Sequence, residues 1–255
     1  MLEVRGVRYH YDAKEVLTGV DAAFAPGQMT AVIGPNGSGK TTLLRLLSGI
    51  AQPTAGTVLL GGQAVGRLSP RARARQIAVV SQQAQVTFPF TAWEVVLMGR
   101  NPYVSALGTE GPEDYAAAHR AMEEAGVADF ASRPITELSG GEAQRVIAAR
   151  ALAQAAPVLL LDEPVANLDI RHQAGLLSLF RRKAEAGATV VCVLHDLNMA
   201  LRYAHRALVL WNGQVACFGT PEEALTPEIL EPIYQQKLVA LTSPNGRFLA
   251  PVDER

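Results

Sequence analysis

Cysteine is scarce in this chain of 255 residues: Cys192 and Cys217 are far apart, and each sits inside an apolar run. Two such thiols suit neither a disulfide framework nor a zinc site, and both are expected to be buried and reduced. An excess of one charge is also missing. Lys and Arg number 23 against 24 Asp and Glu, a formal net charge of -1. That balance gives no global attraction to nucleic acid or to an anionic membrane, and no basic stripe is present. Long hydrophobic runs are absent. Val158 to Leu161 and Thr189 to Leu194 are among the longest, far short of the ~20 residues that cross a bilayer. Met1 to His10 alternates like a strand rather than a targeting segment. These absences predict a soluble, cytoplasmic chain that reaches a membrane only through a partner. The 49% of hydrophobic residues is enough for a sizeable core in one large α/β domain or two small ones.

What is present alternates. Residues 2–33 read as strands with a turn around Asp12-Ala13, a second turn at Pro26-Gly27, and an apolar strand from Met29 to Ile33. Lys40 to Ser48 places Leu43, Leu44, Leu46 and Leu47 on one side of a helix. Thr57 to Leu60 and Ile77 to Val80 are further strands, and residues 91–155 form a mostly helical middle section punctuated by Gly108 and Gly111-Pro112. Val158 to Leu161 and Thr189 to Leu194 are buried strands on either side of a helix over Ile170 to Ala186. Asn212-Gly213 joins two strands as a hairpin, and a last strand pair surrounds Asn245-Gly246. Short apolar strands alternating with helices predict a parallel sheet covered on both faces.

The chemistry is concentrated in three motifs. Gly34-Pro35-Asn36-Gly37-Ser38-Gly39-Lys40-Thr41 follows a strand and opens a helix, the context that a phosphate loop requires. Its glycines let backbone N–H groups converge on phosphate oxygens. Lys40 would neutralise the β and γ phosphates, Thr41 would coordinate Mg²⁺, and Thr42 extends the loop. Leu159-Leu160-Leu161-Asp162-Glu163 ends a buried strand with two carboxylates, at the edge where open α/β sheets place ligands. Asp162 would hold Mg²⁺ and Glu163 would act as general base on water. Leu138-Ser139-Gly140-Gly141-Glu142 offers a hydroxyl, bare backbone and a helix N-terminus near Glu142, all suited to a phosphate. Arg145 and Arg150 on that helix are read as surface or salt-bridge residues, and Trp93 and Trp211 as packing residues.

This order of motifs resembles the nucleotide-binding subunit of ABC transporters over residues 2 to 250. The resemblance implies a RecA-like phosphate-loop core, an N-terminal antiparallel β subdomain, a helical subdomain at about 85–157 and a C-terminal extension at about 226–255. It also implies that the signature 138–142 binds the ATP of a second copy, so that hydrolysis needs a homodimer. Gln82 aligns with the glutamine that touches Mg²⁺ or water, with Gln83 and Gln85 as near competitors. His195 matches the switch histidine and Asp169 the D-loop aspartate, while Asn167 departs from the usual alanine of that loop. Tyr11 lies where an aromatic stacks on adenine, with Tyr9 as the alternative. Phe88-Pro89-Phe90-Thr91, Met98-Gly99-Arg100 and the Gln144-Arg145 that follows the signature are similar to ATPases of heme, ferric-siderophore and cobalamin importers, the heme importers most of all. The implied partners are membrane permease subunits and, indirectly, a substrate-binding protein, with no nucleic acid. The implied place is the cytoplasmic face of the inner membrane, and the implied ligands are ATP and Mg²⁺.

Overall fold

A computed structural model of the protein describes residues 1–12, 14–81, 88–105, 108–166, 168–244 and 246–252. The chain opens with β1 (Leu2–Tyr11), β2 (Lys14–Phe24), β3 (Met29–Ile33), α1 (Lys40–Leu47), β4 (Ala55–Leu60) and β5 (Gln63–Ala64). It continues with α2 (Pro70–Gln76), β6 (Ile77–Val80), α3 (Ala92–Leu97), α4 (Pro112–Glu124), α5 (Gly140–Ala153) and β7 (Val158–Asp162). Then come α6 (Ile170–Glu185), β8 (Thr189–Val193), α7 (Leu197–Tyr203), β9 (Arg206–Trp211) and β10 (Gln214–Gly219). It closes with α8 (Pro221–Ala224), α9 (Pro227–Tyr234), β11 (Leu238–Ser243) and β12 (Gly246–Pro251).

The larger sheet has the order β10-β9-β3-β8-β7-β6. Its strands run parallel except for β10, which the Asn212-Gly213 turn folds back on β9. Every residue of β3, β7 and β8 is buried. The reason lies in the two faces. Leu159, Leu161, Val190 and Cys192 enter one core, together with helices α3 to α9. Val158, Leu160, Val191 and Val193 enter a second core under α1 and the small antiparallel sheet β2-β1-β4-β5. A strand covered on both faces has no polar side to show, so the sequence reads as an unbroken apolar run. Each such Leu or Val contributes roughly 1.5–3 kcal/mol by leaving water.

The helical middle section is three helices packed on one another, α3 and α4 against α5. Helix α5 begins at Gly140, two residues before the expected Glu142, because Ser139 and Glu142 cap each other across its first turn. Arg145 and Arg150 differ from expectation. Arg145 donates from Nη1 to the Gly126 carbonyl at 3.0 Å and lies over the Phe130 ring. Arg150 is buried enough for desolvation to lower its pKa. Neither is a free surface residue, since the arginine stem packs while the guanidinium seeks carbonyls. Cys217 is half-buried rather than buried, and Trp211 is exposed. Among the described residues, no helix is long and apolar enough to cross a membrane.

The parallel strands all deliver their C-terminal ends to one edge. There β3 runs into Gly34, β7 into Asp162 and Glu163, and β8 into His195 one residue after Leu194.

Candidate active site

The phosphate loop is seated on the backbone of β9. A Cβ at Gly34 would lie 2.1 Å from the Leu210 carbonyl oxygen and 2.7 Å from Ser38 Oγ, so only glycine fits. Gly39 adopts φ +104° and hands the chain to α1, where Lys40 is the first residue. Lys40 is 6% exposed. Its ammonium donates to the Gly34 and Pro35 carbonyls at 2.8 and 2.9 Å. Burial lowers its pKa, and the Glu163 and Asp162 carboxylates oppose that shift. Ser38 Oγ is buried with no hydrogen-bond partner among the described residues. An orphaned hydroxyl beside a buried cation fits an oxygen-rich anion, since such groups are otherwise satisfied.

The carboxylates differ from each other. Asp162 ends β7 and is 6% exposed; burial raises its pKa, Thr41 lowers it, and the Glu163 charge raises it again. Thr41 Oγ1 donates to Asp162 Oδ1 at 3.4 Å. Glu163, the next residue, has φ +51°, the left-handed conformation that non-glycine residues rarely take. Such outliers cost about 1–3 kcal/mol and cluster where function requires them. Here the turn aims the carboxylate at His195, whose Nε2 stands 2.5 Å from Glu163 Oε1.

These groups share a cavity of about 960 Å³, lined by Tyr11, Asn36, Gly37, Lys40, Thr41, Thr42, Glu163 and His195, and also by Lys14, Glu15, Val16 and the Asn212-Gly213 turn. The sequence pointed to that turn only as a hairpin. Its place at the cavity comes from a long-range bond, Thr18 N–H to the Gly213 carbonyl at 2.9 Å, which leaves no local signal. Asp162 faces a neighbouring cavity of about 550 Å³ that shares Thr41 and Tyr11. Tyr11 is 42% exposed, takes a hydrogen bond from Arg45 Nη1 at 3.1 Å, and meets Tyr9 edge-on. Burial pushes its pKa up, but bonds from Thr42, Arg45 and Tyr9 bring it below the ordinary value.

Leu138 to Glu142 line neither cavity. Ser139 and Gly140 are exposed, and Ser139 Oγ donates to Glu142 Oε2 at 2.7 Å. Asp169 caps α6 by accepting from His172 N–H at 2.9 Å, and its carboxylate meets the His172 ring at 2.7 Å. Gln82, with Gln83 and Gln85, lies outside the described residues.

A family model described as ABC transporter matches residues 17–166. The chain belongs to the ABC transporter family. Several similar proteins bear the names of import ATP-binding proteins. A hemin import ATP-binding protein of Streptomyces coelicolor is 44% identical over 98% of this chain and 89% of its own length. One from Nocardia farcinica is 47% identical over 94% and 83%. A cobalamin import ATP-binding protein of Halobacterium salinarum is 46% identical over 95% of this chain, which spans 61% of that relative's length. Among solved structures, a chain described as a metal-chelate type ABC transporter in an inward-facing conformation superposes with a TM-score of 0.85 at 28% identity, covering 99% of this chain and 98% of the other. The ABC ATPase fold, an antiparallel β part beside an α/β core, is thereby shared along the whole chain.

Proposed function

We propose that this chain is the ATP-hydrolysing subunit that powers uptake of an iron chelate, heme before others, through a membrane permease. The observation that carries the reading is the convergence of Lys40, Thr41, Glu163 and His195 on one cavity at the sheet edge. ATP would lie with its phosphates on Gly34 to Thr42. Lys40 exchanges its carbonyl partners for the β and γ phosphate oxygens, and Tyr11 flanks the adenine. Thr41 and Asp162, with Gln82, would hold Mg²⁺, which would supply charge neutralisation at the phosphates. Glu163 takes a proton from the attacking water. His195, within hydrogen-bond reach of Glu163, orients that carboxylate and faces the γ phosphate.

The exposed signature supports a head-to-tail homodimer. Ser139, Gly140 and the N-terminus of α5 present a hydroxyl and a positive helix end, while the phosphate loop of the same chain lies elsewhere. Each ATP is then completed by Leu138 to Glu142 of a second copy, with Asp169 at the seam. Residues 85–157 act as the helical subdomain that carries the signature, and a permease dragged by closure of the dimer links hydrolysis to transport. Closure is driven by the tighter binding of ATP to the closed state. The chain sits at the cytoplasmic face of the inner membrane through the permease, which receives cargo from a substrate-binding protein. Cobalamin is the second reading, favoured by the 46% identity to the halobacterial cobalamin relative.

The test is uptake of heme iron in a deletion strain complemented by wild type or by Glu163→Gln. Rescue by wild type alone is expected. Uptake indifferent to the deletion, with cobalamin uptake lost, would move the cargo to cobalamin. ATP turnover by purified chain and permease is the independent check on the catalytic part.

A further inference from the structure

The C-terminal segment lies beyond the matched family region, and no motif falls in it. It nevertheless touches the site from two directions. In α9, Leu230 and Ile233 are buried in the same core as Ile33, the residue before the phosphate loop, and as Leu194, the residue before His195. Tyr234 ends that helix and packs against the same core; burial raises its pKa, and the Gly34 backbone N–H opposes that shift. The chain then turns at Gln235, φ +52°, into the β11–β12 hairpin.

The outer edge of β12 is not left open. The Asn198 carboxamide pairs with both backbone groups of Leu249: Oδ1 accepts from its N–H at 2.8 Å, and Nδ2 donates to its carbonyl at 3.1 Å. One amide side chain here imitates a neighbouring strand. Asn198 is the second residue of α7, whose cap Asp196 accepts from the N–H groups of Asn198 and Met199 at 2.7 and 3.1 Å. His195 is the residue before that cap. The segment is also fastened to itself and its surroundings: Glu231 takes the Leu238 N–H at 2.8 Å, and Arg247 donates to the Glu222 carbonyl at 3.1 Å.

We infer that residues 226–252 brace the two sides of the nucleotide site, with Tyr234 a positioning residue for the phosphate loop and Asn198 one for the strand end that carries His195. The inference rests on the ATPase reading above. A brace of this kind acts differently at its two ends. The Tyr234 end bears on the loop that holds the phosphates in every state, so it sets nucleotide affinity. The Asn198 end bears on His195 and its partner Glu163, so it sets the rate of the chemical step.

The experiment measures MgATP turnover by the full chain with its permease, and hydrogen exchange on the nucleotide-free chain. Tyr234→Phe removes one oxygen and leaves the ring packed. Its KM for ATP is expected to rise about threefold with kcat unchanged, on the scale of one neutral hydrogen bond. Asn198→Ala should lower kcat about threefold to tenfold with KM unchanged, for two such bonds. Exchange should quicken over residues 29–47 in the first variant and over 189–203 in the second. Wild-type turnover with both variants at the wild-type KM and kcat would overturn the brace while leaving the ATPase reading intact. Absence of wild-type turnover would sink that reading, and unchanged exchange at both sites would overturn the brace whatever the turnover. Should Asn198→Ala fail to fold, Asn198→Asp decides, because it is nearly isosteric and loses only the Nδ2 donation to the Leu249 carbonyl.

Discussion

The phosphate loop and the signature are both glycine-rich turns that open a helix, yet they are built in opposite ways. The loop is interior: Lys40 and Ser38 are buried, and Gly34 is wedged against the Leu210 carbonyl. The signature is exterior, with Ser139 and Gly140 exposed and their helix closed by a capping box. One turn is shaped by tertiary packing, with Gly34 against Leu210 and Gly39 against Leu17. The other is capped by local hydrogen bonds, with Leu138 packed on the core, and keeps an exposed face. A concave half and a flat half on one chain suit a ligand held between copies.

Breaking the interior half has the largest expected effects. Glu163→Gln should lower turnover by about 10²- to 10⁴-fold while ATP still binds. Sedimentation in saturating ATP should then show a dimer, and a monomer would count against the shared site. Lys40→Ala should weaken ATP binding by about tenfold to a hundredfold, the loss of charge-assisted contacts; calorimetry showing wild-type affinity would refute the assignment. Ser139→Ala sharpens the contrast, because the exterior half should matter only in the dimer. Turnover should collapse while ATP affinity of the isolated chain stays unchanged, and removal of the cap should lower Tm by about 2–4 °C. A fall in monomer affinity as large as that of Lys40→Ala would erase the distinction.

The smallest effect concerns stability alone. Asp162 has a pKa raised above its unfolded value of 3.8, chiefly by burial. A raised carboxyl binds its proton more tightly when folded, so stability falls as pH rises through that window. Asp162→Asn keeps the bond from Thr41 and removes the buried charge. Scanning calorimetry at neutral pH should find Tm higher by about 2–4 °C in a variant without turnover. The gap should shrink as pH falls toward the unfolded value, and a gap that widened would reverse the sign.

Much of this was legible in the residues because local pattern and burial coincide. Strands β3 and β6 begin and end where the apolar runs do, and β7 and β8 differ by one residue. The Asn212-Gly213 turn has φ of +47° and +75°, as its hairpin requires. Helix α2 was missed because it has no buried residue and hence no apolar stripe. Its Ser69 cap and Pro70 were the only clues. Helix α9 was obscured by Pro227 and Pro232. The surface or salt-bridge reading of Arg145 and Arg150 missed their partial burial, because charge does not show that Arg145 bonds the Gly126 carbonyl or that Arg150 is desolvated. The site motifs named Lys40, Thr41, Glu163 and His195, which line one cavity, but not the reach of Asn198 across 51 positions to Leu249, which depends on how the chain closes.

Lys40 is already bonded to two carbonyls of its own loop. Carbonyls of the loop itself hold its lysine in place, and binding phosphates is a trade of partners rather than a folding event. Little ordering entropy is lost when phosphates replace those carbonyls. On the proposed reading, nucleotide exchange leaves the loop intact, and the timing of the cycle falls to the meeting of two copies.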